Sequence, residues 1–220
     1  MSYILEYLPM ILNGFVLTME VTFFGVLAGL ALGILLAVGD LYGGRVASTA
    51  IRLYVEFFRG SPLVVQLFIF YFTLPNLFGI VPDKLMVGFA VCALNSAAYQ
   101  KGYIKGAMDS VYEDQMTAAL SLGLSKTQAI KYVVLPQALR IVIPAWSNEF
   151  CSLAKSTAAL LVIGVPELTS ALKTTASWTW RVLEIYAFGA VIYVLWISAV
   201  MKLLDILYKR VRIPGIEMTL

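Results

Sequence analysis

TAALSLGLSKTQAIKYVVLP, residues 117–136, decides how this chain is read. It describes a short polar helix, a glycine, a second helix and then Leu135-Pro136. It is set in a chain otherwise built for a lipid bilayer. A soluble-looking helix pair between membrane spans needs a partner on the aqueous side.

The surroundings supply the bilayer. The chain has 220 residues, of which 60% are hydrophobic and 13% charged. A soluble domain carries about 25% charged residues, so there is too little polar surface here to cover a globule. The composition therefore gives an all-α, polytopic membrane protein, read as a single transmembrane domain over residues 1–220. A net charge of +3 gives no reason to expect nucleic acid as a partner. With no histidine, the commonest general base and metal ligand is absent, and no metal or cofactor site is expected. There is no Gly-x-x-x-x-Gly-Lys-Ser/Thr phosphate loop, so the chain should not hydrolyse ATP itself and is not an enzyme. Cys92 and Cys151 fall in apolar segments and read as buried free thiols. No lysine or arginine precedes Arg45, and the first apolar run is too long for a signal sequence.

Five spans are expected. Residues 21–39 form the first, with 1–20 as an outer interfacial lead-in. Residues 40–52 are polar and turn at Gly43-Gly44, and 53–60 look amphipathic. The second span is 63–81, and the third begins at 85–99 and reaches towards Met108. A polar connection over 100–131 follows, its coupling loop at about 109–131. The fourth segment, 133–165, is broken by Pro136 and Pro144. Residues 166–181 read as a polar loop whose Trp178 and Trp180 suit an interface. The fifth span is 183–207. Lysine and arginine set the orientation. Arg45, Arg52, Arg59, Lys101, Lys105, Lys126, Lys131, Lys202, Lys209, Arg210 and Arg212 fall on one side. Only Lys84, Lys173 and Arg181 fall on the other. The basic side is cytoplasmic, which places the N-terminus outside, the C-terminus inside and the polar helix pair in the cytoplasm.

Two capping boxes are legible. Ser110-Val-Tyr-Glu113 would open one helix, closed near Leu122 with Gly123 as a left-handed stop. Ser125-Lys-Thr-Gln128 would open the next, which Pro136 would interrupt. Gly25, Gly29, Gly33 and Ala37 form a small-residue ladder suited to close helix approach, either within the chain or in a dimer. Ions and amides at membrane depth usually face a cavity or a partner. Glu149 is thus either a ligand for a substrate ammonium or a structural ion, and Asn95 either lines a path or bonds neighbouring backbone. Lys155 reads as structural, Arg59 as an anchor at the cytoplasmic boundary of the second span. Phe68, Phe70, Tyr71 and Phe72 read as lipid-facing and core.

Several of these motifs together resemble the membrane subunits of ATP-binding cassette importers. Their signature, Glu-Ala-Ala, three residues, Gly, nine residues, Ile-x-Leu-Pro, is met by Thr117-Ala118-Ala119, Gly123 and Val133-x-Leu135-Pro136. Residues 58–67, FRGSPLVVQL, are similar to the FRGTPLLVQL stretch of the polar amino acid branch. Asn95-Ser96-Ala97-Ala98-Tyr99, Leu135-Pro136-Gln137-Ala138-Leu139-Arg140 and residues 148–168 also fit that branch. Two departures stand out. The signature glutamate is Thr117, and the usual Glu-Ile-x-Arg-Gly-Gly is replaced by Gln100-Lys101-Gly102-Tyr103-Ile104-Lys105-Gly106.

The resemblance implies a permease subunit that carries a polar or charged amino acid. It implies separate ATPase subunits, an extracytoplasmic binding protein and a second permease copy, identical or related. The helix over about 114–122 would be the coupling helix. Asp114, Gln115, Thr117, Ala118, Ala119, Ser121, Leu122 and Gly123 would meet the ATPase. Asn95 and Glu149 would stand on the substrate pathway. Two other classes remain open on sequence: an ion-gradient-driven amino acid carrier, and a membrane scaffold that transports nothing. The first would show paired broken helices in an inverted repeat, which is not visible here. The second leaves Glu149 and Asn95 without a reason at depth.

Overall fold

A computed structural model describes residues 2–212, with the backbone alone described at 2–4 and 112–113. Among these residues ten α-helices follow one another: α1 (Ser2–Tyr42), α2 (Gly44–Gly60), α3 (Leu63–Phe68), α4 (Leu74–Phe78), α5 (Lys84–Ser121), α6 (Lys126–Ala129), α7 (Leu135–Ile141), α8 (Ile143–Ser156), α9 (Leu168–Thr179) and α10 (Val182–Val211). No strand occurs among the described residues. This is what a chain in hydrocarbon requires, because a helix satisfies its own backbone polar groups. Among the described residues, two helices are long and apolar enough to cross a membrane, Leu5–Tyr42 and Val182–Val211. Two bent pairs each have the length and apolarity for one more crossing. Gly44–Gly60 meets Leu63–Phe78 at 109°, and Lys126–Ile141 meets Ile143–Ile163 at 57°.

α1 is the spine. The expected lead-in and first span are one helix, with Pro9 inside it. Three core clusters are stacked along it. Ile11 joins α9 and α10 through Leu168, Leu172, Ala176 and Ile185. Val21 and Val26 meet Val91, Cys92, Phe150, Leu153 and Leu160. Ala37 meets Ile104, Met108, Met116, Ala119 and Ala129. The small-residue ladder serves packing inside the chain. A Cβ on Gly25 would stand 3.4 Å from Cys92 Cβ, one on Gly29 2.9 Å from Ser96 Cβ, and one on Gly33 3.0 Å from Gln100 Cβ. Both cysteines are free, Cys92 buried and Cys151 half-buried.

Four expectations are corrected. Ser110 does not open a helix, because α5 runs unbroken from Lys84 to Ser121. Ser110 Oγ instead donates to Ala107 O at 2.8 Å, while the side chain of Glu113, the other half of that box, lies outside the described residues. The helix expected over about 114–122 is therefore the last turns of α5 rather than a separate element. No proline or turn sequence lies between Tyr99 and Leu122, and single glycines such as Gly102 and Gly106 do not end a helix. Residues 45–52 also belong to a helix, α2, after a turn in which Gly44 takes φ +77°. The stretch 166–181 holds α9 rather than a loop. Glu167 caps it, Oε1 accepting from Ser170 N at 2.7 Å and Oε2 from Thr169 N at 2.8 Å. The spacing Leu168, Ala171, Leu172, Thr175, Ala176 is a helical stripe, and all five are buried.

Pro136 does not interrupt its helix either. The turn Ile130–Val134 widens to π geometry, with Leu135 N bonding Ile130 O. Ile69–Thr73 does the same ahead of Leu74-Pro75, with Leu74 N on Ile69 O. The wider turn relieves the clash between the proline ring and the carbonyl behind it, so the helix continues. The true bends come at Ser61-Pro62 and around Val142-Ile143-Pro144.

The ladder gives a test. An alanine at Gly29 overpacks against Ser96 and Gln100, whereas nothing lies within 4 Å of a Cβ at Gly106. Gly29→Ala should destabilise the detergent-purified chain by about 1–3 kcal/mol. Gly106→Ala should be neutral or stabilising by up to about 1 kcal/mol, from helix propensity. Equal thermal midpoints for the two variants would refute this packing.

Candidate functional site

Two places gather the sequence-predicted residues, and α5 joins them. The first is the end of α5. Met116 and Ala119, three residues apart, are buried among Ala129, Val134 and Ala138. Asp114, Gln115, Thr117, Ala118, Ser121, Leu122 and Gly123 are exposed. Of the eight residues expected to meet a partner, Ala119 alone faces inward. Leu120, which the sequence reading passed over, is 46% exposed, and Leu122 is 83% exposed. They give an otherwise polar tip two apolar contacts.

The end of this helix is a Schellman motif. Leu124 N bonds Ala119 O at 3.2 Å, Gly123 N bonds Leu120 O at 3.0 Å, and Gly123 takes φ +82°. The expected left-handed stop is therefore present. The second capping box is present too: Gln128 N donates to Ser125 Oγ at 3.4 Å, and Ser125 N to Gln128 Oε1 at 2.9 Å. Gln137 Nε2 reaches back to Gln115 Oε1 at 3.3 Å, tying α7 to the tip.

The second place is a cavity of about 360 Å³, within the size range of small-molecule sites. Asn95 and Tyr99 of α5, Glu149 and Ser152 of α8, and Arg59 and Ser61 at the end of α2 line it. The 109° bend at Ser61-Pro62 turns these last groups into the cavity. Gln66 holds that bend. Its Nε2 donates to Phe58 O at 2.9 Å and to Ser61 O and Oγ at 3.0 Å. Asn95 Nδ2 donates to Phe58 O and to Gln66 Oε1, both at 3.1 Å. Asn95 thus bonds neighbouring backbone while standing on the cavity wall.

Glu149 is 4% exposed, and its Oε1 accepts from Ser96 Oγ at 2.7 Å. Ser96 in turn accepts from Gln100 Nε2 at 2.9 Å, which also donates to Val26 O at 2.9 Å. Gln100, one of the departures from the family pattern, is therefore a buried support behind Glu149. Lys155 is exposed, on a different face from Glu149.

Arg59 is more than a boundary anchor. Its guanidinium lies over the Tyr99 ring at 5.2 Å from the centroid and makes no ion pair among the described residues. The cavity therefore presents one guanidinium, one carboxylate, hydroxyls and an amide. The sequence put Arg59 at the boundary of a span, and only the bend angle shows that Arg59 and Glu149 share one space. No group of three or more histidine, cysteine, aspartate or glutamate side chains placed to hold a metal occurs among the described residues.

Known proteins are similar to this chain in sequence and fold. A family described as "Binding-protein-dependent transport system inner membrane component" matches residues 25–213. The probable amino-acid ABC transporter permease protein PatM of Vibrio harveyi is 36% identical over 194 residues, 87% of each chain. The glutamine transport system permease protein GlnP of Escherichia coli is 32% identical over 213 residues, 96% of this chain and 97% of its own. The crystal structure of an amino acid ABC transporter with histidines superposes with a TM-score of 0.86 at 32% identity, covering 94% of this chain and 96% of that one. Through this match, which spans most of its length, the chain belongs to the binding-protein-dependent transport system inner membrane components, the permease subunits of ATP-binding cassette importers.

Proposed function

We propose that this permease carries a polar or charged amino acid across the cell membrane, as one of two permease copies. ATPase subunits grip residues 114–123, and an extracytoplasmic binding protein delivers the cargo. ATP is hydrolysed in the separate subunit, and family membership sets aside the ion-gradient carrier. The observation that carries the reading is the continuity of α5. Its 38 residues extend about 57 Å and connect the cavity wall at Asn95 and Tyr99 to the exposed tip. A force on the tip is a force on the cavity.

In this reading α1, the pair α2 with 63–78, α5, the pair 126–163 and α10 are five spans. The lysine and arginine distribution puts the tip in the cytoplasm and the N-terminus outside. Opening the cavity alternately to either side is then a shift between two arrangements of the same helices. An amino acid carries an ammonium and a carboxylate, and the cavity offers Glu149 and Arg59. The amino-acid transporters among the relatives support that class of cargo.

Two experiments test this. Ala118→Glu places a charge on the outer face of the tip, where it disturbs no core contact. In proteoliposomes holding the whole transporter, uptake should fall about tenfold or more, with the chain still inserted and ATP hydrolysis no longer linked to transport. Normal uptake would reject the tip as the docking site. Glu149→Gln keeps the size of the side chain and removes its charge. The KM for uptake should rise about tenfold, the value of one charge-assisted contact. An unchanged KM would remove Glu149 from the pathway.

A further inference from the structure

Three hydrogen bonds converge on Asp40, near the end of α1. Oδ1 accepts from Ser48 Oγ of α2 at 2.6 Å. Oδ2 accepts from Lys101 Nζ at 2.7 Å and Lys105 Nζ at 2.8 Å, one turn apart on α5. The Asp40 side chain is 1% exposed and that of Lys101 10%. One carboxylate thus uses one oxygen for each of two neighbouring helices. The sequence reading counted the two lysines only as cytoplasmic charge. They belong to the stretch 100–106 that departs from the family pattern.

What Asp40 spans is an elbow. Between it and Ser48 the chain turns through Gly43 and Gly44. Gly44 takes φ +77°, with nothing within 4 Å of a Cβ placed there. Left to itself, such a joint can swing. The far end of α2 is fastened to α5 directly, by Tyr54 Oη on Leu94 O at 2.6 Å and by Asn95 Nδ2 on Phe58 O at 3.1 Å. The first turns of α2 are tied to α1 by the hydrogen bond from Ser48 to Asp40, with Ile51 packed against Gly39 just beyond. α2 then runs on to Arg59, Gly60 and Ser61 in the cavity wall.

We propose that Asp40 is a positioning residue for the transport stroke. It fastens the base of α2 to α5, so that a displacement of the 114–123 tip is delivered to the Arg59–Ser61 wall instead of being absorbed at the Gly43-Gly44 elbow. This rests on the coupling reading above. The two ends of the linkage are unequal. Ser48 carries the α2 side alone, whereas Lys101 and Lys105 share the α5 side. An amide in place of the Asp40 carboxylate has one accepting oxygen for two helices and leaves a buried Lys101 without its counter-ion.

The test is the number of amino acids imported per ATP hydrolysed by the complete transporter with its ATPase and binding protein in proteoliposomes. Asp40→Asn, Ser48→Ala and Lys105→Gln should each lower that ratio, Ser48→Ala by about threefold or more. Lys105→Arg, which keeps the charge, should hold it near the native value. The Ser48→Ala/Lys105→Gln double variant should be no worse than the poorer single, since a linkage is broken once. A native ratio in both Ser48→Ala and Lys105→Gln overturns the proposal. So do losses that multiply in the double variant, which would mark two independent packing contacts. If Asp40→Asn fails to insert, those two variants still decide. Failure of the tip reading looks different: Ala118→Glu would then leave uptake intact, whatever Ser48→Ala does.

Discussion

Close approach of α1 and α5 is the constraint on which the rest of this structure depends. Hydrocarbon offers no hydrophobic drive for two helices to associate, so they are held by contact between small residues and by buried polar bonds. Gly25, Gly29 and Gly33 remove the side chains that would keep α5 away. At the distance that results, Gln100 reaches the backbone of Val26 and the hydroxyl of Ser96, and Ser96 reaches Glu149. The carboxylate of the cavity is thus placed by a chain of contacts that starts at a glycine ladder on another helix. Farther along the same pair, Asp40 meets Lys101 and Lys105.

Much of this was legible in the residues. The ladder, the apolar segments, the Gly123 stop, the Ser125 capping box and the Gly43-Gly44 turn all stand where short-range chemistry puts them. The errors share a cause. Ser110 and Glu113 have the chemistry of a helix start, but a capping box matters only where a helix begins, and α5 never stops before Leu122. Pro136 has the chemistry of a helix stop, but one π turn absorbs it. Polar threonines and serines made α9 look like a loop, although Leu168, Ala171 and Leu172 repeat at helical spacing beneath them. In each case a local signal was overruled by the helix that runs through it.

The site was legible in part. Glu149 and Asn95 were conspicuous because polar groups at depth need a reason. Arg59 was not, because its place on the cavity wall follows from a 109° turn whose size no dipeptide specifies. Asp40 was hidden for a related reason. Its lysine partners lie 61 and 65 positions away and are brought to it by the side-by-side run of two long helices.

The tip of α5 has a consequence for how such an assembly changes over generations. Its shape is fixed by main-chain hydrogen bonds and by one left-handed glycine, while Met116 and Ala119 supply the inward packing. The outward residues Ala118, Leu120 and Leu122 are spared that structural duty. Mutational drift at these positions leaves the architecture intact. On the proposed docking at this tip, a permease and its motor can rewrite their mutual recognition together, and paralogous transporters in one cell can diverge in which motor they accept while the scaffold stays the same.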